Sequence, residues 1–180
     1  MKTKLDRMKQ FLAIASAIAS IILLFHSAIP AVSAAIFIRE IPTADGQTTV
    51  VLVPKIPGGG LEVHEKAGGH TLERHVGKTE AELAQRLAAE PQIAAASSFT
   101  NRAVAEAAIG EAISRNEREI SSWLRSRENR YAIDYNANRI VGITLRRRQN
   151  KISTTSRLRI VLQRSAKLPP GYFILTAYPA

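Results

Sequence analysis

Two histidines sit five residues apart in the segment GGHTLERHVGKT, residues 68–79, beside Lys78. An imidazole close to cations and a phosphate can titrate near neutrality, as general acid–base work requires. Thr79 opens a helix just downstream, and backbone N–H groups at a helix start favour an anion. The five-residue spacing keeps His70 and His75 off one helix face. There is no HExxH, no acidic cluster of the DxD type, and Asp occurs only three times, so no metal site is expected. No P-loop, dinucleotide fingerprint or GxSxG serine motif is present, and the absence of cysteine removes thiol nucleophiles, zinc fingers and disulfide scaffolds. What remains is metal-free, cofactor-free acid–base chemistry by His, Tyr and Arg. The alternative for either histidine is a structural role.

The second candidate lies in the closing strand GYFILTAYP. Strict two-residue alternation puts Tyr172, Ile174, Thr176 and Tyr178 on one face, and Phe173, Leu175 and Ala177 on the other, expected to be the core face. Thr176 and Tyr178 then project together, ~6.8 Å apart, where two hydroxyls can hold a phosphate oxygen or a base edge. An ordinary strand end is the alternative.

Positioning these groups requires a folded domain, and the composition supplies one. The chain has 180 residues, 46% of them hydrophobic, with 25 Lys plus Arg against 15 Asp plus Glu, a net charge of +10. Such a basic surface suits a polyanion: nucleic acid, acidic lipid or an acidic protein. Lys2, Lys4, Arg7 and Lys9, the apolar run from Phe11 to Phe25 and a small-residue stretch ending at Ala34 read as a signal peptide, residues 1–34. An uncleaved anchor is the alternative, because no charged residue occurs from Phe11 to Ile38. Residues 1–34 hold four of the basic and one of the acidic residues, so the chain from Ala35 keeps 21 against 14, a charge of +7.

Residues 35–60 read as a leader, with a hairpin around Asp45-Gly46 and a break at Pro57-Gly58-Gly59-Gly60. Helices follow from Leu61. Thr79-x-x-Glu82 is a capping box ahead of a run that Pro91 stops, and Ile109, Ile113, Ile120 and Leu124 share a face in the next run, which Gly110 or Asn116 can split. After Asn129, RIVGITLRR, SRLRIVLQR and GYFILTAYP read as strands. Helices first, then strands, predicts an α+β fold with an antiparallel sheet. From Arg130 onward ten residues are basic and only Asp134 is acidic, so the sheet should carry the positive potential, with Arg146, Arg147 and Arg148 as candidate RNA contacts.

The blocks GGHTLERHVGKTEAELAQRL, ASSFTNRAVAEAAIGEAISRNEREISSWL and GYFILTAYP, in that order over residues 61–180, resemble the RNase A-like C-terminal toxin domain of contact-dependent growth inhibition proteins. The resemblance implies an RNase A-like α+β domain without disulfides, metal-independent RNA cleavage that kills competitors, and a cognate immunity protein. It places the catalytic residues at His75, Arg86, Thr176 and Tyr178, with His70 at a recurrent position and Lys78 as a phosphate-binding helper. Two features depart from the family pattern: the chain opens on its own export-type segment, and Arg146–Arg148 match no family site. The expectation is a secreted monomeric ribonuclease toxin, without stable membrane association once the signal is removed. A non-catalytic RNA-binding module of the same fold is the alternative, and either Tyr178 or His70 could be the second proton carrier.

Overall fold

The computed structural model describes residues 36–42, 48–149 and 151–180, with side chains from Lys55 onward. The signal-like segment and the Asp45-Gly46 turn lie outside the described residues. On either side of that turn β1 (Ile36–Pro42) and β2 (Thr48–Pro54) pair antiparallel, Ile36 opposite Pro54 and Pro42 opposite Thr48.

Three short helices follow: α1 (Leu61–Lys66), α2 (Thr71–His75) and α3 (Glu80–Ala89). The capping box forms as its spacing predicts. Thr79 accepts from the Glu82 backbone, and the Glu82 carboxylate accepts from the Thr79 backbone at 2.7 Å. A strand, β3 (Ala95–Phe99), then precedes α4 (Arg102–Arg115), whose first turn is capped by the Asn101 side chain accepting from Val104. The long helical run breaks at Asn116, not at Gly110, and α5 (Glu117–Arg125) begins there. Gly110 stays inside α4, where it is buried. Among the described residues no helix is long and apolar enough to cross a membrane.

The remaining strands are β4 (Arg130–Asn136), β5 (Gly142–Arg146), β6 (Lys151–Thr155), β7 (Arg157–Arg164) and β8 (Tyr172–Pro179). They form two antiparallel three-stranded sheets, ordered β3-β5-β6 and β4-β7-β8, so the fold is α+β as expected. Three strands lack a pattern that would announce them. β3 is built of small residues, β6 has a single large apolar residue, and Ile133 alone is fully buried in β4.

The main core joins Leu61, Phe99, Ile109, Ile113, Ile120 and Trp123 to the inner face of the β4-β7-β8 sheet, Leu158, Ile160, Leu162 and Ile174. Ile56, from the segment read as leader, belongs to it. A smaller cluster of Leu83, Leu87, Ala96 and Leu145 fixes α3 on the other sheet. The two sheets approach at Gly142, where a Cβ would lie 2.1 Å from the Ser98 carbonyl and 2.8 Å from the Pro179 ring. Only glycine permits that contact.

β8 corrects the alternation expected of it. Val161 faces Thr176 but Leu162 faces Ile174, so Leu175 is an extra residue in a bulge. The bulge reverses the parity. Tyr172, Ile174 and Ala177 are the core residues, and Thr176 and Tyr178 turn to the opposite face together with Val161 and Arg159 of β7.

Candidate active site

Both sheets end in a strand with one unpaired edge, and a single stretch of chain, residues 64–78, closes both edges. Its first half lies along β8. The His64 Nδ1 accepts from the Ile174 backbone at 3.0 Å, the His70 backbone donates to the Leu175 carbonyl at 3.0 Å, and the Thr71 hydroxyl accepts from the Ala177 backbone at 2.9 Å. Its second half lies along β3. The Gly77 backbone donates to the Phe99 carbonyl at 3.0 Å, and the Lys78 backbone donates to the Ser98 hydroxyl at 2.8 Å. Gly69 permits the approach to β8, because a Cβ there would be 2.4 Å from the Ile174 carbonyl. The opening and closing motifs of the sequence therefore meet at one strand edge.

His75 ends α2 between the two sheets, 7% exposed. Its Nδ1 is 3.1 Å from the Ser97 carbonyl of β3, and its ring packs on Tyr178 of β8 with centroids 5.2 Å apart. A carbonyl only accepts, so Nδ1 carries the ring proton and Nε2 holds the lone pair. Burial pushes the imidazole down to about 4, and the positive fields of Arg86, His70 and Arg74 act in the same direction. At neutral pH His75 is thus a neutral base. His64 is also held neutral by burial, but both its nitrogens are engaged: Nε2 donates to the Pro57 carbonyl at 3.1 Å. It is a structural residue, and nothing in its sequence surroundings distinguished it from the other histidines.

Arg86 reaches back from α3 across the break at Gly77. Its Nη1 donates to the Arg74 carbonyl at 3.4 Å and its Nε meets the Glu90 carboxylate at 3.2 Å, which also stands 4.0 Å from Arg74. Arg74, Lys78, Leu83, Arg86 and Glu90 line one groove of about 270 Å³. Lys78 and Arg86 therefore share one groove, joined by Arg74, present in the opening motif but not singled out there; His70, His75, Thr176 and Tyr178 do not line it. His70 is half-buried, and burial together with Arg74 lowers its pKa. The Thr176 Oγ1 is buried with no hydrogen-bond partner among the described residues.

Two sequence expectations change. The start of α3 is less suited to an anion than expected, because the Thr79 and Glu82 amides are taken by the capping box and the Glu82 carboxylate lies there. Arg147 is committed elsewhere: its guanidinium donates to the carbonyls of Leu87, Glu90 (3.0 Å) and Ile93 (3.2 Å), closing the C-terminal end of α3. Arg146 and Arg148 are exposed at the end of β5, and neither lines the groove. The Arg-rich sheet is likewise less open to polyanions than its composition implies. Arg139 pairs with Glu111 at 2.8 Å, Arg159 with Asp134 at 2.6 Å, and Arg164 donates to the Leu124 and Trp123 carbonyls, each at 2.8 Å.

Residues 69–179 match the family model described as the bacterial CdiA-CT RNase A domain. The chain is similar to a solved structure, the CdiA-CT/CdiI complex from Y. kristensenii 33638, at 42% identity and a TM-score of 0.58, over 62% of this chain and 99% of the neighbour's. No curated protein matches the sequence.

Proposed function

Since residues 69–179 make this chain a member of the bacterial CdiA-CT RNase A domain family, we propose that its toxin domain is a metal-independent endoribonuclease acting by acid–base transphosphorylation. The observation that carries this reading is His75: a buried, neutral imidazole oriented by the Ser97 carbonyl and packed on Tyr178.

In the reaction the His75 Nε2 takes the proton of an RNA 2′-hydroxyl, and the 2′-oxygen attacks the adjacent phosphorus. The P–O5′ bond breaks, and the departing oxygen takes a proton from a second group. Tyr178 fits that role better than His70. Tyr178 packs on the His75 ring and its hydroxyl can donate, whereas burial and Arg74 favour the neutral, proton-poor form of His70. Arg86, with Lys78 beside it, meets the charge that builds on the phosphoryl oxygens. Thr176, on the same face of β8 as Tyr178, positions a phosphoryl oxygen or a base edge, which requires its buried hydroxyl to be uncovered when RNA binds. The products are a 2′,3′-cyclic phosphate and a free 5′-hydroxyl.

Export through residues 1–34 completes the proposal, with cleavage after Ala34 as the sequence pattern indicates. The similarity to a CdiA-CT/CdiI complex supports a cognate immunity protein that covers the site in the producing cell. An exported product whose intact mass retains residues 1–34 would contradict the export step.

The deciding experiment is cleavage of total RNA in EDTA by the chain from Ala35, beside His75→Ala. We expect cyclic-phosphate ends from the parent and a loss of about 10²–10⁴-fold in the variant. Intact RNA with the parent protein folded overturns the enzyme reading and leaves an RNA-binding module.

A further inference from the structure

We propose that the Asp134–Arg159 pair positions Tyr178 for its part in the reaction. The inference rests on the ribonuclease reading, and neither residue belongs to the set that the sequence motifs assign. Arg159 stands opposite Tyr178 across the β7–β8 ladder and opposite Asp134 across the β4–β7 ladder, so the three side chains form one row over the open face of the sheet. The Asp134 carboxylate grips the guanidinium by two parallel bonds, Nε to Oδ1 at 2.8 Å and Nη2 to Oδ2 at 2.6 Å. A bidentate grip of this kind fixes the plane of the fork, which a lysine cannot reproduce. Tyr178 lies directly across the β7–β8 ladder from this guanidinium, on the same face of the sheet, close enough for the two side chains to interact. Beyond Tyr178 the row continues to the His75 ring at 5.2 Å and from there to the Ser97 carbonyl.

The row therefore joins the outer strand of one sheet to the edge strand of the other, with the reacting groups in its middle. Tyr178 turns about two side-chain bonds, and packing against His75 restrains its ring from one side only. Arg159, held in place by Asp134, supplies the restraint at the hydroxyl end.

The test compares Arg159→Lys, Arg159→Met, Tyr178→Phe and Arg159→Lys/Tyr178→Phe on a short fluorogenic RNA oligonucleotide, with circular dichroism to verify folding. Positioning predicts that Arg159→Lys lowers kcat about 10-fold or more with KM nearly unchanged. It also predicts that the same change adds almost nothing once Tyr178 is phenylalanine, since residues acting through one another are non-additive. A rise in KM at constant kcat, or fully additive losses, overturns the inference. A second readout needs no turnover. Nuclear Overhauser contacts between the His75 and Tyr178 rings should weaken in folded Arg159→Met, and unchanged contacts overturn positioning as well. Failure of the parent protein to cleave RNA strikes the ribonuclease reading itself, whereas an active parent with indifferent Arg159 variants strikes the inference alone.

Discussion

His75 combines two properties that burial couples: it is shielded from water, and it is neutral well below the usual histidine range. A base must be unprotonated to work, so the acid limb of kcat/KM should fall not near 6.5 but near 4, the value to which burial and the surrounding cations push the ring. A pH–rate profile on a short RNA checks this, and an inflection near 6.5 would remove His75 from the role of base. The same shift has a stability consequence. The folded state resists protonation that the unfolded chain accepts, so its contribution is complete above pH 6.5 and is lost progressively as pH falls towards 4, by roughly 3 kcal/mol. Urea unfolding at pH 7 and pH 4.5 should show the loss, and His75→Gln should reduce the difference. Residue type offered His70 and His75 as proton carriers, and the family resemblance pointed to His75. Neither could show the Ser97 carbonyl that selects the tautomer, since a backbone oxygen has no signature in residue type.

At the scale of elements, the strap of residues 64–78 holds the site together, and its bonds to the β8 edge are the expected weak point. Thr71→Val keeps the shape and removes the acceptor for the buried Ala177 N–H. We expect a loss of about 1–3 kcal/mol in chemical denaturation, with reduced kcat because Thr176 and Tyr178 flank that bond. Arg147→Met tests the opposite assignment. A residue that closes the end of α3 should cost about 1–2 kcal/mol on removal and leave KM for RNA unchanged, whereas a raised KM would restore it as an RNA contact. The helix boundaries were legible because caps and breakers act within a few residues, as Thr79, Glu82 and Pro91 do. The Leu175 bulge was not. It is set by how β8 pairs with β7 and by what docks on its outer edge, and one extra residue was enough to exchange the two faces of the strand.

For the molecule as a whole, the net charge of +10 overstates what is available to RNA. Arg139, Arg147, Arg159 and Arg164 meet carboxylates or carbonyls within the fold, and the groove's three cations, Arg74, Lys78 and Arg86, stand among Glu73, Glu82 and Glu90, the last of them bonded to Arg86 and near Arg74. With about three phosphates met, log kcat/KM should fall against log salt with a slope of about −2. A slope several-fold steeper would show that the exposed arginines at the end of β5 also bind the strand. The α+β class, the order of helices before most strands, and the motifs bearing His75, Arg86, Thr176 and Tyr178 all follow from residue order, because propensity, capping and side-chain chemistry are local. Their assembly does not. The chain needed two sheets, a strap that closes both open edges, and a bulge that turns Tyr172 and Ile174 into the core ahead of the two outward hydroxyls. These depend on pairings well beyond the reach of local pattern, from Val161 with Thr176 at the bulge to His64 with Ile174 and Thr71 with Ala177, more than a hundred positions apart, along the strap.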